Sequence, residues 1–341
     1  MFQNPIANIN QTEPIGIDAK QAEVRYGDVL FTTSSETRDE AGMSSVWLNN
    51  RRNVYLNSFC FGYRPPADYN PYFLAFMLRS PRVREKFTLL AQGISRFNIS
   101  KNKAMEMPVN LPGAEEQEKI GRMLQTLDEI IALRKRKVDA LATVSQALLQ
   151  QLYPRRGHNE PKMRFQGYGG YWHSELLGDL LDYEQPTKYI VESTEYDGSF
   201  EPPVLTTGQT FILGYTDETE GIKDASPANP IIIFDDFTTG SHFVTFPFKV
   251  KSSAMKLLYA RGNVDTRFAF GALKNINYSP ENHERHWISK FANFEVEVPE
   301  AFEQHKIGEI LKIVSSLTAN EELRLSELGE LKESLLRSLF V

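Results

Sequence analysis

The sequence predicts an α+β protein in which two α/β globular segments alternate with two long helices that pair as an antiparallel coiled coil. Three observations carry that expectation. Residues 111–121 (LPGAEEQEKIG) recur at 298–308 (VPEAFEQHKIG), so Gln117, Lys119, Ile120 and Gly121 return as Gln304, Lys306, Ile307 and Gly308 at a constant offset of 187. Both copies run on without a gap as heptad patterns, ending in QALLQQLY (146–153) and ESLLRSLF (333–340). The stretch before each copy holds short apolar and β-branched runs separated by Gly, Asn and Pro, the pattern of strands and loops. With 341 residues the chain exceeds one ordinary core. The boundaries that follow are 1–112 and 157–298 for the globular segments, and 113–156 and 299–341 for the helices.

In the first globular segment, VRYGDVLFTT (24–33) reads as a strand. A helix opens at Asn70-Pro71, with Asn70 as N-cap and Pro71 at the first helical position, and is expected to run to about Leu90. The first long helix starts after Pro112 with Glu115 and Glu116 in its first turn, where carboxylates meet the positive end of the helix dipole. Its seam is Ile120, Leu127, Arg134, Leu141 and Leu148, with Met123, Ile130 and Val144 expected on the same face. In the second globular segment LGDLLDY, PVLTTG, TFILGYT, PIIIFDDFTTG, SHFVTFPFKV and FEVEVP read as strands and loops, with a helix near 253–261. The second long helix follows Pro299, with Glu300 and Glu303 at its start. It repeats the seam as Ile307, Val314, Glu321, Leu328 and Leu335, with Ile310, Leu317 and Leu331 between. Arg134 and Glu321 occupy equivalent positions with opposite charge and are expected to fix the register where the helices cross. At 1.5 Å per residue each helix makes a rod of about 60 Å, a spacer.

Composition narrows the class of protein. Hydrophobic content of 41% and charged content of 24% are those of a soluble globular chain, and no run of apolar residues reaches the length of a membrane span. The opening MFQNPIANINQ lacks the basic start and apolar run of a signal peptide, so a cytoplasmic location is expected. Cys60 is the single cysteine, which excludes an internal disulfide and a thiolate zinc site. The net charge of -6 excludes a uniformly basic nucleic-acid binder, yet Lys and Arg outnumber Asp and Glu in 1–112 and the reverse holds in 154–298. DNA binding needs cations where phosphates run, which an acidic total permits.

Taken together, the order of segments, the 187-residue repeat and the two Pro-x-x-x-x-Gln-x-Lys-Ile-Gly helix starts at Pro112 and Pro299 make the chain resemble the specificity subunits of type I restriction-modification enzymes over essentially its whole length. The stretch WHSELLGDLLDYEQPTKY (172–189) resembles the start of one of their target-recognition domains, and PVLTTGQTFILGYTDETEGI with IIIFDDFTTG resembles one class of them. If Val29–Thr33 corresponds to Ile232–Asp236, the counterpart of the Trp-x-x-x-x-Leu-Gly-Asp opening falls before residue 1, so the first recognition domain is expected to be shortened. The resemblance implies a subunit with no catalytic residues and no metal of its own. It reads a bipartite site in double-stranded DNA and carries two modification (adenine N6-methyltransferase) subunits and the ATP-dependent restriction subunits. S-adenosylmethionine, ATP and Mg²⁺ are expected in those partners. The shortened half also raises self-association, or a coiled-coil adaptor role, as the alternative.

Base reading needs donors and acceptors in the major groove and cations on phosphates. In the second domain the loop Thr238, Thr239, Gly240, Ser241 and His242 is the first choice, beside Lys249, Lys251, Ser252, Ser253 and Lys256. Lys188, Gln209 and Tyr215 come from the preceding loops, with Arg285 and His286 as phosphate contacts. In the first domain the analogous residues are Thr32, Thr33, Ser34, Ser35 and Arg38, with Ser95, Arg96, Asn98 and Lys101. Other chemistry finds weaker footing. Asn70-Pro71-Tyr72-Phe73 lacks the second proline of a methyltransferase motif and reads as a helix cap. Asp235-Asp236 with Glu295 or Glu297 reads as a turn rather than a Mg²⁺ site, His283 and His286 lack a third metal ligand, and no Gly-x-x-x-x-Gly-Lys phosphate loop is present.

Overall fold

The structure is a computed structural model that describes residues 4–7, 9–16, 21–208, 210–280 and 285–340. The chain forms two compact units, Met1–Lys137 with Glu321–Val341, and Val138–Asn320. Each therefore holds one globular segment together with a stretch of both long helices.

The first unit is built on β1 (Val29–Thr32), followed by β2 (Ser34–Ser35), β3 (Ser44–Val46) and β4 (Cys60–Tyr63). β1 lies between β3 and β4, antiparallel to both, with Leu30 opposite Ser45 and Gly62. Alternation along it sends Val29 and Phe31 into the main core with Phe61, while Leu30 packs on the other face with Val24, Trp47 and Val54. The helix expected from Asn70 to Leu90 is two helices, α1 (Pro71–Met77) and α2 (Pro81–Leu90). Pro81 has no amide to continue the ladder and its ring would meet the carbonyl four residues back, so the helix stops and restarts with Pro81 in the first turn. The Asn70 cap is present: its side-chain oxygen accepts from the Phe73 amide at 2.9 Å. β5 (Phe97–Asn98) pairs with β2, and α3 (Lys101–Met105) leads toward α4 (Ala114–Leu152).

The second unit contains β6 (His173–Leu176), α5 (Leu177–Leu180), β7 (Leu181–Glu184), β8 (Pro203–Leu205), β9 (Ile212–Tyr215), β10 (Ile231–Asp235), β11 (Ser241–Val244), β12 (Lys249–Val250) and β13 (Met255–Ala260). It continues with α6 (Thr266–Lys274), α7 (His286–Ser289), β14 (Glu295–Val298) and the start of α8 (Ala301–Leu339). Four strands form an antiparallel sheet in the order β11-β10-β13-β7, and β12-β8-β9 and β14-β6 form smaller sheets. β10 is buried on both faces. Ile232 and Phe234 join the core of Phe268 and Trp287, and Ile231 and Ile233 join that of Val250 and Leu257. The helix expected near 253–261 is instead β13. Its apolar run is buried on both sides, Leu257 toward one core and Leu258 toward the other, and its backbone pairs with β10 and β7. The helix lies further on, as α6, opened by Asp265.

The long helices pair. In the first unit they are antiparallel, with Asp128 against Lys332 and Arg134 against Glu321. In the second, Leu148 and Leu152 share a core with Ile307 and Leu311. All the predicted seam residues are buried or half-buried: Ile120, Leu127, Arg134, Leu141 and Leu148, and Ile307, Val314, Glu321, Leu328 and Leu335. The intervening positions differ from expectation. Met123, Ile130, Val144, Leu317 and Leu331 are 39% to 50% exposed, and only Ile310 packs partly against a core. Leu124, Ile131, Val138, Leu311, Thr318 and Leu325 take their place, four residues after each seam position rather than three. The seam already steps by three from Gln117 to Ile120, so a mean period of 3.5 requires the next step to be four.

Candidate nucleic-acid interface

The repeated motif builds one joint twice. In the first unit Gln117 donates through its side-chain amide to the Pro112 carbonyl at 2.9 Å and accepts from the Asn70 backbone amide at 3.2 Å. In the second, Gln304 donates to the Pro299 carbonyl at 2.9 Å and accepts from the Asp265 amide at 3.2 Å. Asn70 and Asp265 are the N-caps of α1 and α6, and Asp265 accepts from the amides of Arg267 and Phe268 at 2.9 Å each. Gly121 and Gly308 make the close approach feasible: a Cβ would lie 2.6 Å from the Asn70 side-chain oxygen, or 2.5 Å from that of Asp265. The sequence displayed Gln and Gly as repeated letters, but their partners lie 47 and 39 residues upstream with no repeated spelling, so the role was hidden. Arg267 was missed as well. It stacks 4.0 Å over Phe243 and reaches the Ser315 hydroxyl on α8 at 3.2 Å.

In the second unit the loop between β10 and β11 is preorganised. The Asp235 carboxylate accepts from the amides of Phe237 and Thr238 at 2.8 Å, Thr239 takes φ +62°, and the Gly240 carbonyl accepts from the Asp235 amide at 2.8 Å. Burial opposes ionisation of Asp235, yet hydrogen bonds from Thr207, Thr238 and Phe237 hold it below the usual carboxylate range. Thr238 is exposed, and Thr239 and Gly240 half-exposed, at the tip. Ser241 is buried. His242 stacks on Phe211 with ring centroids 4.1 Å apart, and burial together with the Lys274 charge lowers its pKa, so the ring is neutral near pH 7. Such a ring offers a donor and an acceptor rather than a phosphate-binding cation.

Several expected phosphate contacts are held inside the fold. Lys249 is 3% exposed, with its ammonium 2.6 Å from Glu218 and 2.7 Å from the Glu220 carbonyl. Lys256 is 1% exposed, 3.4 Å from the Asp236 carboxylate and over the Tyr183 ring. His286 is fully buried with Tyr278 at 3.2 Å, and the Trp287 amide donates to Asp236 at 2.9 Å, so Asp235-Asp236 serves the turn and the core. In this conformation Lys249, Lys256 and His286 are too buried to meet a phosphate and Ser241 too buried to meet a base edge, which corrects the sequence expectation. Lys251 is half-buried, donating to the Tyr196 hydroxyl at 2.9 Å, and Tyr215 ends β9 opposite Pro203. Lys188, Ser252, Ser253 and Arg285 are exposed, whereas Gln209 and His283 lie outside the described residues.

In the first unit the β2–β5 ribbon gathers the expected residues. Ser34 pairs with Asn98 and Ser35 with Phe97, and the Arg38 guanidinium lies 5.9 Å from the Phe97 ring. Ser95, Arg96, Asn98 and Lys101 are exposed beside them. The threonine hydroxyls are engaged internally: Thr32 accepts from the Met43 amide at 3.0 Å and Thr33 donates to the Phe59 carbonyl at 2.8 Å. The buried Ser34 hydroxyl has no hydrogen-bond partner, and Ser35 donates to Glu40 at 3.1 Å. Among the described residues no group of three or more His, Cys, Asp or Glu side chains is placed to hold a metal, and no helix is long and apolar enough to cross a membrane.

This twofold plan recurs in known proteins. A family model described as the type I restriction modification DNA specificity domain matches residues 4–143 and again residues 171–330. Over 151 residues, 42% of the chain, the sequence is 42% identical to the EcoR124I/EcoR124II type I restriction enzyme specificity subunit of Escherichia coli; the match covers 37% of that relative's length. The crystal structure of a type I restriction-modification S subunit from M. genitalium is similar with a TM-score of 0.65 and 15% identity, over 94% of this chain and 84% of that one. A chain from a structure concerned with assembly and conformational transition of the type I R-M system gives 0.51 and 17%, over 95% and 84%. At those identities the structural likeness speaks for the fold. The family assignment rests on the two matched domains, which coincide with the two heads and their repeated joint: the chain belongs to the type I restriction-modification DNA specificity family.

Proposed function

We propose that this chain is the sequence reader of a type I restriction-modification complex, recognising two short base blocks in double-stranded DNA separated by an unread spacer. The observation that carries the reading is the duplicated joint, in which the cap of a head helix seats on the Gln and Gly of a long helix, once through Asn70 and once through Asp265. Two heads that each seat on a long helix through the same joint suit a split DNA site, because a duplicated reader matches half-sites one or more helical turns apart. The β10–β11 loop tip with Lys188, Ser252, Ser253 and Arg285, and the β2–β5 ribbon with Arg38, Arg96, Asn98 and Lys101, are the proposed contact surfaces. The chain supplies no chemistry of its own. Two modification subunits carry S-adenosylmethionine for adenine N6 methylation, and restriction subunits carry ATP and Mg²⁺, in the cytoplasm.

Coexpression with the neighbouring modification subunit, followed by genome-wide mapping of N6-methyladenine, tests the proposal. A split motif that appears only with this chain is expected; methylation independent of it refutes the reading. A second reading, a partial subunit or coiled-coil adaptor that needs self-association, is favoured by one feature. Among the described residues, no strand of the first unit plays the part that β6 plays beside β14.

A further inference from the structure

The repeat makes each unit a template for the other. In the second unit Trp172 is 3% exposed and packs against Tyr153 and Phe268, with ring centroids 6.5 and 5.9 Å away. β6, which follows it, pairs with β14, setting His173 opposite Val298 and Glu175 opposite Val296. Upstream, the Arg164 guanidinium grips Glu303 through two bonds of 2.8 Å, and Glu303 is 1% exposed.

The same seat recurs in the first unit, and among the described residues no segment lies on it as β6 lies on β14. An offset of 187 turns Tyr153, Val296, Val298 and Glu303 into Phe340, Val109, Leu111 and Glu116, and the corresponding cap-plus-three residue of α1 is Phe73. These five residues line a single cleft of about 320 Å³. Residues 107–112 form no strand there: the Pro108 carbonyl accepts from the Lys86 ammonium at 2.7 Å, and residues 109–111, the equivalents of Val296–Val298 in β14, pair with no strand among the described residues. Glu116 is exposed, where its counterpart is buried under an arginine.

We propose that this cleft binds a segment of a second polypeptide with the chemistry of residues 164–176: an arginine, a tryptophan eight residues later, and a strand ending in leucine four residues beyond that. The arginine would pair with Glu116, the indole would lie between Phe340 and Phe73, and the strand would add to residues 109–111. Strand addition supplies backbone hydrogen bonds, while the indole and the guanidinium supply selectivity. The inference stands apart from the DNA-reading proposal, because it concerns completion of the first unit and not what its surface recognises.

The probe is a synthetic peptide with this chain's own sequence from 160 to 182, titrated calorimetrically into the full-length chain. One saturable site is expected, with hydrogen-exchange protection appearing at residues 109–111. Glu116→Arg should weaken binding by roughly tenfold or more, and a peptide carrying Arg164→Glu should recover affinity for that variant. To exclude a merely weak peptide, the same segment is also appended after Val341 through a flexible linker, which raises its local concentration to the order of millimolar. Failure to protect 109–111 in both formats overturns the proposal, as does binding that ignores the charge at 116.

Discussion

Replacing Gly308 by alanine separates helix propensity from the joint described above. In an unencumbered helix the change stabilises by about 1 kcal/mol, since glycine loses more backbone freedom on folding. Here the new Cβ would lie 2.5 Å from one Asp265 carboxylate oxygen, 2.9 Å from the carboxyl carbon and 3.1 Å from the other oxygen. Ordinary contact needs about 3.5 Å, so the cap must retreat by roughly 1 Å. That movement loosens the bonds to the Arg267 and Phe268 amides, which costs about 1 kcal/mol, and overpacking adds about 1–3 kcal/mol. Set against the propensity gain, the net destabilisation is about 1–3 kcal/mol. Gly329 on the same helix has nothing within 4 Å of its would-be Cβ, so Gly329→Ala should stabilise. Urea unfolding of both variants, with hydrogen exchange across Thr266–Lys274, reads the opposite signs. A Gly308→Ala protein as stable as the parent would refute the account of the joint.

Gln304→Leu should expose the α6 start to faster exchange and cost about 1–3 kcal/mol, because the Pro299 carbonyl and the Asp265 amide lose their partner; unchanged exchange at α6 argues against it. Hydrogen bonds from Lys137 and Arg134 hold the Glu321 carboxyl down at about 2. Since its folded pKa lies below the unfolded value near 4.5, its stabilisation is complete above that range and is lost as pH falls toward 2. Glu321→Gln should therefore flatten the acid-unfolding curve over that window, and an unaltered curve counts against the pairing. Lys249→Ala should lower stability by about 1–3 kcal/mol, because the Glu218 carboxylate keeps the Glu192 and Ser193 amides but loses its cation, and should leave the salt slope of DNA binding unchanged. Arg96→Ala with Lys101→Ala should reduce the salt slope by about one for each phosphate no longer neutralised, without altering melting; an unchanged slope removes the ribbon from the interface.

How much was legible depended on whether a signal was local. The seams of α4 and α8 could be read because a 3.5-residue period repeated over many turns, and the spacing of 187 duplicated it. The error over Met123, Ile130 and Val144 came from choosing the step of three where the pairing demanded four. β13 was misread because a strand buried on both faces shows no alternation, and a short apolar run then resembles a helix. The lysine errors share one cause. Lys249 finds Glu218 thirty-one residues upstream and Lys256 finds Asp236 twenty upstream, and a lone cation in a sequence does not disclose which side of a strand it occupies. The ribbon of Ser34, Ser35 and Asn98 came closer, since short polar runs on both sides of a predicted helix were free to meet.

The contact between Arg134 and Glu321 bears on which copies can assemble. Equivalent positions of two antiparallel helices face each other at one height, and here that height is filled by unlike charges 2.6 Å apart. Two first helices brought together in the same manner would confront guanidinium with guanidinium, and two second helices carboxylate with carboxylate, the latter left only the longer, 3.5 Å contact to Arg324 of their own helix. The duplicated arms are thereby keyed like plug and socket: fragments carrying one arm apiece should rejoin as an unlike couple, and mixtures of identical halves should stay apart.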